Sequence, residues 1–267
     1  MDNTYRILAI DHRQVFSDLL NKKINNVNNI NIAEYKEKIM EIFKDDVNGI
    51  LINPENYNII SDLSINKKYV SLEGDDYSNS TFSAEQYLSK NFSIKDIKKL
   101  GANYIKLFMY INSKEKNLLA KLSLISKVSK ECVENEIPFL FEPIIDLDLQ
   151  FVYEDLLKII EKLKIINIDI LKLQFPFDIN LYTEEQAINM LSTITKMLDC
   201  PWILLSGGID FNKFLKQLEY SKKSGCSGFA VGRALWNEYL TASVEDESKF
   251  EIEMKNKMAL LNAVMGE

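Results

Sequence analysis

Ile168–Phe177 reads IDILKLQFPF, an apolar run with one lysine inside it. Ile168, Ile170, Leu171, Leu173 and Phe175 leave no polar face, the pattern of a strand buried on both sides in a parallel sheet. Pro176 ends it, because proline cannot donate to a ladder. Lys172 lies within the run. A charged ammonium in such a place is costly unless it is paired or neutral. Desolvation disfavours the charged form of a lysine, and a neutral amine attacks carbonyl carbon. Two readings stand: a Schiff-base lysine, or a lysine at a strand end that reaches out to solvent.

The same rhythm extends to both sides. Upstream, strands are predicted at Arg6–Ile10, Val47–Ile52, Lys68–Leu72, Ala102–Met109 and Pro138–Glu142. Downstream they are predicted at Pro201–Leu205 and Ser227–Val231. Helical patterns cover Ala33–Lys44, Glu115–Asn135, Glu154–Leu163, Thr183–Leu198, Asp210–Ser224, Leu235–Leu240 and Asp246–Val264. Ser93 and Asp96 outline a capping box that opens a short helix closed by Gly101, and Thr183 could cap through Gln186. Asn21–Asn31 reads as a loop, and Tyr77–Ser89 as a long polar segment of the functional or mobile kind. Eight βα units in 267 residues predict an α/β fold, the (β/α)8 TIM barrel, as one domain over 1–267 with a C-terminal helical extension. The alternative is a doubly wound open sheet. It wants a Gly-rich loop after the first strand, which Asp11-His12-Arg13-Gln14 is not.

Composition narrows the function. A net charge of −7 argues against nucleic acid as a partner and leaves room for an anionic substrate. Cys132, Cys200 and Cys226 have neither disulfide nor metal spacing, and Cys200 and Cys226, which flank strands, read as packed hydrophobes. His12 is the only histidine, which excludes a multi-histidine metal site. Glu73, Asp75 and Asp76 read as a solvated loop rather than a cation site. The longest N-terminal apolar run, Ile7–Ile10, is too short for a signal peptide or a membrane span, so a cytoplasmic protein without membrane contact is expected. Trp236 and Tyr239, at helical spacing, read as core or interface, and the late apolar helices suit a homo-oligomer.

In a barrel, polar residues at strand C-termini meet at one rim, where the chemistry is done. Those residues are Asp11, Lys106, Glu142, Lys172, Ser206 and the pair Gly232-Arg233. Ser206-Gly207-Gly208 and Val231-Gly232-Arg233 follow strands seven and eight, the usual phosphate cradle. Their glycines let the backbone approach a phosphate, and Arg233 adds a charge-assisted contact. The plainer reading is two ordinary turns and an exposed arginine. Lys106 and Lys172 on nearby strands lower each other's proton affinity by repulsion, and Glu142 could shuttle protons. Otherwise Lys106 is a rim lysine in a salt bridge with Asp11 or Glu142. Asp11 either contacts substrate hydroxyls or turns a strand end. His12 is a candidate substrate neighbour.

At these residues the chain resembles the class I tagatose-1,6-bisphosphate aldolase family and the related sulfofructosephosphate aldolases. The matching stretches are LAIDHR (Leu8–Arg13), GANYIKLFMYIN (Gly101–Asn112), FLFEPIIDLD (Phe139–Asp148), DILKLQFPFD (Asp169–Asp178), PWILLSGGID (Pro201–Asp210) and GFAVGRALW (Gly228–Trp236). They run in family order across nearly the whole chain. The resemblance implies a metal-free, cofactor-free barrel that cleaves a phosphorylated ketose, with Lys172 as the imine lysine and Glu142 as the acid/base. It implies that Asp11 and Lys106 support or contact the substrate. It further implies that Ser206, Gly207, Gly232 and Arg233 hold the phosphate of the dihydroxyacetone phosphate half. The family usually has Asp-Gln-Arg where this chain has Asp11-His12-Arg13, so His12 bears on the substrate. The alternatives are a sulfofructosephosphate-type aldolase, a non-catalytic sugar-phosphate sensor on the same scaffold, and a phosphate-binding isomerase barrel.

Overall fold

Eight parallel strands close on themselves in chain order, each hydrogen-bonded to its sequence neighbours and the last to the first. They are β1 (Tyr5–Ala9), β2 (Gly49–Ile52), β3 (Lys67–Ser71), β4 (Tyr104–Tyr110), β5 (Phe139–Ile144), β6 (Ile170–Leu173), β7 (Trp202–Leu205) and β8 (Gly228–Val231). This computed structural model describes residues 4–24, 26–65, 67–74 and 87–266. The long helices around the barrel are α1 (Gln14–Leu20), α2 (Asn29–Phe43), α3 (Ile94–Leu100), α4 (Leu118–Glu134), α5 (Leu149–Leu163), α6 (Glu184–Met197), α7 (Phe211–Lys223), α8 (Arg233–Thr241) and α9 (Glu247–Met265). The closed (β/α)8 barrel excludes the open sheet. None of these helices, among the described residues, is long and apolar enough to cross a membrane.

Strand alternation divides the core in two. Ile7, Ala9, Leu51, Tyr69, Leu140, Ile170, Ile203 and Ala230 point into the lumen and pack on one another. Their sequence neighbours, such as Leu8, Ile50, Val70, Leu171, Leu204 and Phe229, point outward under the helices. Strands with both faces covered therefore read as unbroken apolar runs.

Local chemistry sets the helix ends. Ser93 with Asp96, and Thr183 with Gln186, form the expected capping boxes, and Gly101 closes α3 at φ +105°. The Asn21–Asn31 expectation needs correction. Asn28 accepts from the N–H groups of Ile30 and Asn31, so α2 starts at Asn29, inside the presumed loop. α5 also begins earlier than expected, at Leu149. Of the polar segment Tyr77–Ser89, residues 77–86 lie outside the described residues, as do Asp75 and Asp76.

The barrel closes where β8 meets β1. Tyr5 pairs with Gly228, and a Cβ at Gly228 would sit 1.9 Å from the Tyr5 carbonyl oxygen. Only glycine fits that approach. Outside the seam, the buried Lys23 side chain joins the segment after α1 to α8 and α9. It donates to the Tyr239 carbonyl (3.0 Å) and pairs with Glu247 (2.9 Å), lying over the Tyr239 ring at 4.6 Å. Trp236 and Tyr239 are core residues, both fully buried, and Cys226 is packed as expected.

Candidate active site

The lumen alternation continues past the apolar layer and changes character. On β4 the next inward position is Lys106, on β5 Glu142 and on β6 Lys172, while Asp11 and Glu73 extend the inward rows of β1 and β3. Lys106 Nζ lies 3.0 Å from Asp11 Oδ2, 2.5 Å from Glu73 Oε1 and 3.1 Å from Glu142 Oε2. Lys172 Nζ lies 3.0 Å from that same Glu142 oxygen. None of the five residues is more than 6% exposed, so these charges persist only because they compensate one another. The two lysines are not left to bare repulsion, since Glu142 Oε2 bridges them. Lys106 makes the ion pairs with Asp11 and Glu142 that one of its two readings gave it, and a further one with Glu73.

Glu73 is the residue the sequence reading missed. It is not solvated: its side chain is fully buried, and its second oxygen accepts from the Phe108 N–H at 3.2 Å. The signal was the row Tyr69, Ser71, Glu73, which keeps the lumen parity of β3.

Burial and neighbouring charge pull these groups apart. Burial raises the Asp11 carboxyl, but Lys106, His12 and Lys172 outweigh it and hold the group well below the ordinary carboxylate range. Glu142 is likewise raised by burial and brought below its ordinary value by Lys106 and Lys172. Glu73 goes the other way: burial lifts it above the ordinary value despite Lys106.

His12 is pushed down to about 4, first by burial, with Arg233, Lys172 and Lys106 adding to it against the pull of Asp11. Its ring stands edge-on to Trp236 at 5.2 Å, and its Nδ1 is 3.7 Å from Asp11 Oδ1. The imidazole is therefore neutral at pH 7. The unfolded chain takes up that proton near pH 6.5 and the folded protein only near pH 4, so protonation favours unfolding within this window. The wild type should therefore lose stability relative to His12→Gln as pH falls from 6.5 to 4. Urea midpoints of both proteins across that range check this; a constant difference would refute it.

The loops after β7 and β8 make a second kind of surface. Gly232 N donates to Ser206 Oγ at 3.3 Å, and Arg233 Nη2 donates to the Gly207 carbonyl at 3.3 Å. Gly208, at φ +75°, lies so close to Arg233 that a Cβ there would be 3.0 Å from Nε. Arg233 opens α8, and its guanidinium has no carboxylate partner among the described residues.

Both surfaces face one cavity of about 520 Å³, lined by Asp11, His12, Lys106, Glu142, Lys172, Ser206, Gly207, Gly232 and Arg233. Every site residue expected from the sequence is thus in one place. The cavity is also walled by residues not anticipated there, among them Arg13, Phe108, Tyr110, Ile144, Gln174, Phe175 and Lys213.

Known proteins share this architecture. The archaeal fructose-1,6-bisphosphate aldolase solved with its catalytic Lys covalently bound to the carbinolamine intermediate of its substrate superposes with a TM-score of 0.64, at 18% identity over 96% of this chain and 94% of that one. The fructose-bisphosphate aldolase of Plasmodium falciparum superposes at 0.75, with 14% identity over 97% and 89% of the two chains. In sequence, tagatose 1,6-diphosphate aldolase 1 of Enterococcus faecalis is 26% identical over 97% of this chain and 90% of its own length. Tagatose 1,6-diphosphate aldolase 2 of the same organism is 25% identical over 89% and 80%. The sequence profile of the DeoC/LacD family aldolases matches residues 5–238, which takes in all eight strands and every residue of the ionic cluster. On that match the chain belongs to the DeoC/LacD family of aldolases.

Proposed function

We propose that the protein is a class I aldolase that reversibly cleaves a phosphorylated ketose through an imine on Lys172. The observation that carries this reading is the nearly dry Lys172–Glu142 pair, 3.0 Å apart, facing the cavity beside the glycine loops. An ammonium must lose a proton before it can attack a carbonyl, and a carboxylate in contact can take it.

Lys172 gives its proton to Glu142, and the neutral amine attacks C2 of the ketose. Glu142 returns that proton to the departing hydroxyl, and water leaves the carbinolamine as the protonated imine forms. The C3–C4 bond then breaks and its electron pair moves into the imine, giving an enamine. Glu142, directly or through water, takes the C4 hydroxyl proton as the aldehyde departs. That proton returns to C3, and water hydrolyses the imine to dihydroxyacetone phosphate and free Lys172. Nothing is oxidised or reduced overall.

Asp11 and Lys106 have the roles of polarising and orienting the substrate oxygens. Ser206 and the backbone of Gly207 and Gly232, with Arg233, hold the phosphate next to C1. The two Enterococcus relatives are named for tagatose 1,6-diphosphate, a member of this substrate class.

Incubation with dihydroxyacetone phosphate and borohydride tests the reading. A reduced adduct on the peptide containing Lys172, read by mass spectrometry, is the expected result. Folded protein that forms no adduct would exclude the imine route.

A further inference from the structure

His12 stands where the two surfaces of the cavity meet, the ionic layer and the glycine loops. Its ring stands edge-on to Trp236, which is itself fixed by donating from Nε1 to the Ala9 carbonyl at 3.0 Å. A Cβ on Gly232 would lie 3.1 Å from His12 Cε1, so no side chain separates the imidazole from the start of the loop after β8. The His12 side chain is 25% exposed and lines the cavity. Its Nδ1 is buried and has no hydrogen-bond partner among the described residues, since 3.7 Å to Asp11 Oδ1 is too long for one.

The surroundings keep the ring neutral in the free protein. Burial opposes an imidazolium most; Asp11, just past β1, favours it, and Arg233 from α8, Lys172 from β6 and Lys106 from β4 oppose it. Glu142 from β5 and Glu73 from β3 are engaged with those lysines. A phosphate on the loops after β7 and β8 reverses the balance. It carries close to two negative charges at pH 7, and an opposite charge within about 4–6 Å favours the charged form of a titrating group. An imidazolium N–H can also give a phosphate oxygen a charge-assisted hydrogen bond.

We propose that His12 helps to hold the substrate phosphate and takes up a proton as that phosphate binds. This rests on the aldolase reading above. The proton comes from solvent and returns there when dihydroxyacetone phosphate leaves, and no covalent bond to the ring other than N–H forms or breaks. The loops thus gain a cation beside Arg233 while phosphate is bound. Without phosphate they are spared a buried imidazolium facing Arg233, Lys172 and Lys106.

His12 is the only histidine, so its imidazole signals in a nitrogen NMR spectrum are unambiguous. Borohydride reduction of the imine formed with dihydroxyacetone phosphate ties the phosphate into the site at every pH. We expect the imidazole of that adduct to titrate about 1–3 pH units higher than in the unmodified protein, the size of shift a close opposite charge produces. The adduct made with unphosphorylated dihydroxyacetone should show no such rise. A phosphorylated adduct whose imidazole titrates no higher than in the unmodified protein overturns the inference and leaves the class I reading standing. An equal rise in the adduct without phosphate does the same. Failure to form the phosphorylated adduct removes that reading and the inference with it.

Discussion

Lys172→Met is expected to abolish the borohydride-trapped adduct and to lower aldol cleavage by about 10⁴–10⁶-fold, the scale of removing a covalent nucleophile. The thioether cannot form an imine, and no other group replaces the lost electron sink. Lys106 cannot substitute, because its Nζ already contacts Asp11, Glu73 and Glu142. Folding should survive. Glu142 keeps Lys106 at 3.1 Å, so the variant buries no orphaned carboxylate. Methionine also fills much the same space in the apolar strand. Thermal unfolding of the variant, alongside cleavage kinetics, separates lost chemistry from lost structure. A folded variant with wild-type cleavage would sink the proposal.

Lys106→Met should have the larger effect on stability, destabilising the protein by about 3–5 kcal/mol at pH 7, the scale of stripping one partner from a buried ionic cluster. Glu142 would keep Lys172 at 3.0 Å, but Asp11 and Glu73 would lose their cation while buried. The pH dependence gives this prediction a distinctive sign. In the wild type, lysine charge holds Asp11 and Glu142 below their ordinary values, so their contribution is present near neutrality and lost as pH falls through their folded pKa values. In the variant, burial without Lys106 raises Asp11 and Glu73, so acid relieves the variant. The gap in urea midpoints between the two proteins should narrow as pH falls from about 7 toward about 4.5. Adding Glu73→Gln to Lys106→Met should recover part of the loss at pH 7. A single variant as stable as wild type at pH 7 would mean that the cluster does not depend on this cation.

Much of this architecture was legible in the residues. IDILKLQFPF announced a parallel strand, and the βα spacing around it announced a closed barrel. The cluster was legible wherever a charged residue interrupted or ended an apolar strand, as Lys106, Glu142 and Lys172 do. Glu73 was hidden because Asp75 and Asp76 follow it, and three carboxylates within four residues look like a solvated turn. Its row, Tyr69, Ser71, Glu73, becomes informative only once the inward parity of β3 is known. The cavity-lining Phe108 and Ile144 were hidden for a related reason. In strands buried on both faces, hydrophobicity does not distinguish lumen from sheath, so Phe108 and Ile144 read like any other core residue. Asn28 was passed over because asparagine serves loops and helix caps alike.

The close approach of Gly228 to Tyr5 has a further consequence at the ribosome. β1 leaves the exit tunnel before the other strands of the barrel, and the neighbour that covers its second edge, β8, is the last of them to be made. Throughout that interval the nascent sheet can grow from β2 to β7 on one side only, while the backbone of YRILA offers unpaired groups on the other. Such an edge invites another chain. Translation therefore has to outrun aggregation, or a chaperone has to shield the first strand, until Gly228 arrives to shut the cylinder.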